Sequence, residues 1–211
     1  MHRRDNNSAV GTGRGPTCIP VRIVVLLCAV LLGSGEVRRA CAQGSAEEYQ
    51  VKAAFLFHFA QLVEWPAGAL NASDQSINLC IFNDEPRRSE LQNTIVGKPI
   101  GARVLRVHTL DQQQSIQGCN ILFLSREESR RQAAVLRSVR DLPVLTVGET
   151  DDFLSDGGMI HFHLDGDKIR FDINANGADS SHLRISSRLL LLATSVTHSV
   201  AIGVGKASYA H

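Results

Sequence analysis

The chain has 211 residues, of which 44% are hydrophobic, 20% charged and 5% aromatic, and it carries a net charge of +1. That is globular composition, and it excludes a disordered chain, a collagen-like repeat and a polytopic membrane protein. The near-neutral balance and the scarcity of aromatic residues advertise no nucleic-acid surface. The charge is unevenly spread, however. Residues 1–42 hold six arginines against two acidic residues, which leaves 16 basic and 19 acidic residues, a net −3, in the rest of the chain.

Residues 1–22 are polar and basic, and residues 23–32 form an unbroken apolar run. Ten residues fall short of the roughly 20 that a membrane-spanning helix needs, but they match the apolar region of a secretory signal. Ala40-Cys41-Ala42 then supplies the small-x-small pattern for cleavage before Gln43. A lipid on Cys41 is disfavoured by Arg38-Arg39-Ala40 ahead of it. The reading is a signal peptide over 1–42, one α/β domain over 43–196 and a tail over 197–211.

Cleavage removes Cys18, Cys28 and Cys41 and leaves Cys80 and Cys119 in a compartment that oxidises thiols. A disulfide between them is the natural inference. The alternative is two buried thiols packed as small hydrophobes. Neither cysteine has a second pair of ligands at tight spacing, which disfavours zinc there.

In chain order, Ser45-Ala46-Glu47-Glu48 reads as a capping box that starts a helix running to about Val63. Val51, Phe55, Phe59 and Leu62 form its apolar stripe, widened by Leu56, Ala60 and Val63, and His58 lies inside it as a packed or capped residue. Residues 77–82 read as a buried strand, and a short helix follows to about Thr94. Residues 103–107 alternate as a half-wet strand, and residues 119–124 form a second buried strand with Cys119 in it. Ser125-Arg126-Glu127-Glu128 is a second capping box; its helix turns Ala133, Ala134, Leu136 and Val139 inward and Arg130, Arg137 and Arg140 outward. Residues 144–148 form the next strand. Strand, helix and strand with short joints imply parallel pairing by a right-handed crossover.

Residues 159–174 read as a hairpin around Asp165-Gly166-Asp167-Lys168. This register pairs Leu164 with Ile169, Phe162 with Phe171 and Ile160 with Ile173 on one face, and His163 with Arg170 and His161 with Asp172 on the other. Residues 189–196 read as a last apolar helix. The fold class is therefore a single-domain, three-layer α/β sandwich with a mostly parallel sheet, a C-terminal β-hairpin and helices on both faces.

Few motifs carry chemistry. Gly11, Gly13 and Gly15 lie in the leader with no strand before them, so they are no dinucleotide fingerprint, and Gly97-Lys98 lacks the rest of a phosphate loop. There is no nucleophile elbow. His161, His163 and Asp172 are the best cluster, because an H-x-H on a strand projects both imidazoles to one side, as metal sites require. The plainer reading, adopted here, is a polar face on which His161 pairs with Asp172 and no metal is held.

Several segments resemble the YfiR-like family. They are residues 48–60 with Val63-Glu64-Trp65-Pro66, then 118–123, 144–149, Gly157-Gly158-Met159-Ile160 with Phe162, 169–174 and 185–190. They run in order over about residues 46–196. The resemblance implies a periplasmic α/β protein without catalytic residues or cofactor. In that family a homodimeric repressor binds the periplasmic sensor domain of an inner-membrane diguanylate cyclase, holding cyclic di-GMP and biofilm formation low. An outer-membrane lipoprotein can draw the repressor away. Cys80 and Cys119 match a disulfide pair of the family, but no cysteine follows Cys119 to supply the second pair that some members have. The competing readings are a periplasmic solute-binding module, since open α/β sheets bind ligands at strand carboxyl ends, and a metal-dependent enzyme using His161 and His163.

Overall fold

A computed structural model describes residues 36–70, 75–82, 85–95, 98–110 and 115–198, with the backbone alone at 36–45 and 85–88. The apolar run at 23–32 and the chain beyond 198 lie outside the described residues. The elements below, apart from the first turns of one helix, belong to the compact unit Gly44–His211.

Helix α1 spans Glu36–Leu62. It begins nine residues ahead of the expected capping box, so Ser45 lies inside the helix and not at its start. Gly44 is a poor helix former, but Val37-Arg38-Arg39-Ala40-Cys41-Ala42-Gln43 before it contains no proline and only ordinary or good ones, and the helix continues through the glycine. Its buried stripe is Tyr49, Lys52, Ala53, Leu56, Phe59 and Ala60, and Val63 continues it just past the helix end. Val51, expected in the stripe, is exposed. His58 is exposed as well, with Nδ1 3.1 Å from Gln61 Oε1. Val63–Glu64 forms β1, and Pro66 lies just beyond.

The main sheet takes its strands from β2 (Ser76–Phe82), β3 (Pro99–Ile100), β4 (Arg103–Leu110), β5 (Ile121–Leu124), β6 (Leu145–Gly148), β7 (Ile160–Asp165), β8 (Lys168–Asn174) and β10 (Ser195–Thr197). Their order is β10-β8-β7-β6-β5-β2-β4-β3. Only β7–β8 and β3–β4 are antiparallel; the other five pairings are parallel. The remaining strand, β9 (Arg184–Ile185), pairs antiparallel with β1 in a separate ribbon. Helix α2 (Glu85–Ile95) links β2 to its parallel neighbour β4, and a 3₁₀ turn (Arg126–Glu128) with α3 (Ser129–Ser138) links β5 to β6. These are the crossover units that the strand-helix-strand pattern predicts.

Alternation along each strand builds two cores. One face receives Leu79, Ile81, Ile121, Phe123, Leu145, Val147, Ile160 and Phe162, covered by Leu56 and Phe59 of α1 and by Leu91 and Ile95 of α2. The other receives Cys80, Phe82, Leu122 and Leu124, covered by Leu136 and Val139 from α3 and its end and by Phe153. Helices on both faces make the three-layer α/β sandwich expected from the sequence.

The hairpin register matches the expected pairing at all five positions. Asp165 pairs with Lys168, so Gly166 and Asp167 form a two-residue loop, and Gly166 takes the positive φ of 63° that such a loop needs at its first position. Two helix expectations fail. Ser125 makes no side-chain cap; the chain passes through the 3₁₀ turn first, and the regular helix starts at Ser129. In α3 the buried residues are Gln132 and Leu136, while Ala134 faces solvent. The outward arginines 130, 137 and 140 are exposed as expected.

The last expected helix is a single turn, α5 (Ser187–Leu190), after which residues 195–197 join the sheet beside β8. Leu191 and Leu192 are 85% and 62% exposed, so the leucine run has no second face to bury and cannot sustain a helix. Ser195-Val196-Thr197, with two β-branched residues, suits a strand instead. The intervening α4 (Ala175–Ser180) is capped by the Asn174 side chain, which accepts from the Gly177 N–H.

Candidate functional site

The carboxyl ends of β5 and β6 open onto a cavity of about 230 Å³. Open parallel sheets place ligand sites at this end, at the point where strand order reverses. Here the order reverses between β2 and β5, one strand away from the cavity.

Glu149, the residue after β6, is buried at the cavity wall and accepts four hydrogen bonds from three residues. Lys52 Nζ of α1 donates to its Oε1 at 2.6 Å. The Tyr49 hydroxyl and the Arg126 backbone N–H donate to Oε2 at 3.1 Å and 3.0 Å. The Arg126 guanidinium donates to the Glu149 carbonyl oxygen at 2.9 Å. Lys52 also pairs with Glu48 one turn earlier and lies 4.6 Å from the Tyr49 ring centre. A buried carboxylate and ammonium are tolerated together because each satisfies the other and the remaining lone pairs are donated to.

The sequence reading missed this group. Lysine in a helix reads as a solvated residue, yet Tyr49, Lys52, Leu56, Phe59 and Val63 recur at helical spacing and place Lys52 on the apolar stripe. That spacing was the available signal. Glu48 to Lys52 and Glu149 come from two of the segments that carry the family resemblance, and the fold brings those segments together.

His161, His163 and Asp172 meet on β7 and β8, on the sheet face opposite α1. Asp172 Oδ2 lies 3.1 Å from His163 Nδ1 and 3.8 Å from His161 Nδ1. The imidazole centres are 5.7 Å apart. Asp172 Oδ1 accepts a hydrogen bond from Ser195 Oγ at 2.6 Å. Burial lowers the His161 pKa below its ordinary value, and the neighbouring His163 lowers it further; Asp172 and Asp151 act in the opposite sense without overcoming this. His161 is thus held toward the neutral form. The expected pairing of His161 with Asp172 is present in register, but the nearer contact is with His163. His163 also lines the cavity that holds Lys52 and Glu149.

Cys80 and Cys119 form a disulfide, with Cα atoms 5.8 Å apart. Cys80 is in the middle of β2, whereas Cys119 precedes β5 by two residues instead of lying within it. Beside the bridge, Asn120 bonds to Asn78 in both directions: its backbone N–H donates to the Asn78 carbonyl, and its side-chain oxygen accepts from the Asn78 N–H, each at 2.9 Å.

A three-layer α/β sandwich with a mostly parallel sheet, one bridge across its first half and a buried Lys–Glu pair at the strand ends defines the class. Residues 49–194 match the family model described as YfiR/HmsC-like, and the chain belongs to that family. Among the described residues, no helix is long and apolar enough to cross a membrane.

Proposed function

We propose that this protein is a periplasmic, non-catalytic regulator. It binds the periplasmic sensor domain of an inner-membrane diguanylate cyclase and holds the enzyme inactive, so that cyclic di-GMP and biofilm formation stay low. The observation that carries this reading is the family match over 49–194. The Cys80–Cys119 bridge supports it, since such bridges persist in oxidising compartments. In this reading residues 1–42 are a signal peptide removed on export, the mature chain acts as a homodimer, and an outer-membrane lipoprotein relieves repression by sequestering it.

The test is a pull-down of the tagged, exported protein from a membrane extract, combined with cyclic di-GMP measurement after deletion of its gene. A co-purifying diguanylate cyclase and a rise in cyclic di-GMP are expected. Unchanged cyclic di-GMP with no cyclase in the eluate overturns the proposal. N-terminal sequencing of the exported chain checks processing; an intact Met1, or a lipid on Cys41, refutes cleavage before Gln43.

The cavity at the carboxyl ends of β5 and β6 favours a second, compatible reading as a solute-binding module. A bound small solute would then adjust the regulator's affinity for its partner.

A further inference from the structure

We infer that His161, His163 and Asp172 form a binding site for a divalent transition-metal cation of the zinc type. The inference is independent of the regulatory reading and departs from the metal-free face that the sequence suggests.

The first observation is convergence. One ligand atom from each of the three residues lies within 4.8 Å of the other two. The hairpin register enforces this, because His161 faces Asp172 directly and His163 is its diagonal neighbour on the same face.

The second observation is the direction of the groups. His163 Nδ1 is buried and lies 3.1 Å from Asp172 Oδ2, yet it makes no hydrogen bond. A simple His–Asp pair at that distance would point its N–H at the oxygen. Two ligands of one cation behave differently. Each lies about 2.0–2.2 Å from the ion, so they approach each other closely while both aim at a third point. His161 is 8% exposed, and its Nε2 is also buried without a partner. Buried polar atoms are rarely left so, and here two fall in adjacent imidazoles beside one carboxylate.

The third observation is the support around the ligands. Ser195 Oγ occupies Asp172 Oδ1 and leaves Oδ2 toward the histidines. Metal-binding carboxylates are oriented by such outer hydrogen bonds. The His163 side chain is 25% exposed, so a water or solute can complete the coordination. Two imidazoles and one carboxylate suit zinc and its neighbours, whereas magnesium and calcium prefer oxygen donors throughout.

The experiment uses the purified, disulfide-intact protein, stripped with a chelator and titrated with Zn²⁺ by calorimetry. Co²⁺ serves in parallel as a coloured probe. One Zn²⁺ per chain, a melting temperature that climbs with Zn²⁺ concentration and a visible Co²⁺ band are expected. H161A/H163A should abolish all three. Because that variant removes buried side chains, S195A provides a gentler check: it keeps every ligand and should weaken Zn²⁺ binding about tenfold. Absence of stoichiometric Zn²⁺ uptake by the wild type overturns the inference. So does uptake that persists undiminished in a folded H161A/H163A variant.

Discussion

The two faces of the sheet are stabilised by different means. The α1 face is held by size: Phe59, Phe123, Phe162 and Phe171, with the partly buried Phe55 packed against them, form a network of rings with centres 5.1 to 6.4 Å apart, in a core of 24 buried residues among those described. Among the described residues the α3 face has ten buried core residues and two aromatic rings, Phe82 and Phe153. Phe153 is the more deeply buried of the two. That ring fills a slot between two glycines: a Cβ on Gly148 would lie 2.1 Å from Phe153 Cδ2, and one on Gly158 would lie 2.2 Å from Phe153 Cε1. The bridge between Cys80 and Cys119 is on this smaller face. A face with little area to bury gains from a covalent tie that constrains the unfolded chain, while the larger face holds mainly by area.

The bridge tests this contrast most severely. Cys80→Ser or Cys119→Ser should cost about 4 kcal/mol, the chain-entropy value for a loop of 39 residues. Denaturant titration reads the loss. Hydrogen exchange on the reduced protein should rise first at β2 and β5 and last at α1; uniform exchange would erase the distinction between the faces.

Lys52→Met attacks the larger face at its polar end. It leaves the Glu149 carboxylate buried without its cation, for a loss of about 3 kcal/mol. Adding Glu149→Gln, which keeps the hydrogen-bond acceptor and removes the charge, should recover part of that loss. Additive effects in the double-mutant cycle would refute the pairing as the source of the cost.

Phe153→Leu empties part of the glycine slot and should cost about 1.5 kcal/mol. Gly148→Ala should be worse than the leucine substitution, because its methyl group meets the ring directly. Thermal melts of the two variants decide the order.

The smallest effect belongs to Arg137→Ala, on the exposed side of α3. It should shift stability by no more than about 0.5 kcal/mol. A larger loss would mean that the outward arginines do more than solvate the helix.

The hairpin was fully legible in the sequence. A period of two, a glycine able to take positive φ and matched apolar pairs leave one register that buries Phe162 and Phe171 together. The buried strands and the three-layer order followed from continuous apolar runs separated by helical patterns. What escaped were residues whose role depends on a distant partner. Lys52 is buried only because Glu149 reaches it from 97 residues away. Residues 195–197 are a strand only because β8 offers an open edge there. The start of α1 was misplaced because a capping box describes a local option, and the helix instead runs on through Gly44 and Ser45 into the helix formers upstream. At the candidate metal face, the sequence named the three residues but could not show how their ring nitrogens are aimed.

The outermost strands of the main sheet are β3, with two residues, and β10, with three. Pro99 in β3 has no N–H to offer. A long, flat rim would let copies of the protein polymerise by adding strand to strand, and brief or proline-bearing rims prevent this. The two rims are also partial: β3 lies beside only Arg103 and Val104 of β4, and β10 beside only Asp172–Asn174 of β8, so each longer strand runs on past the short one that borders it.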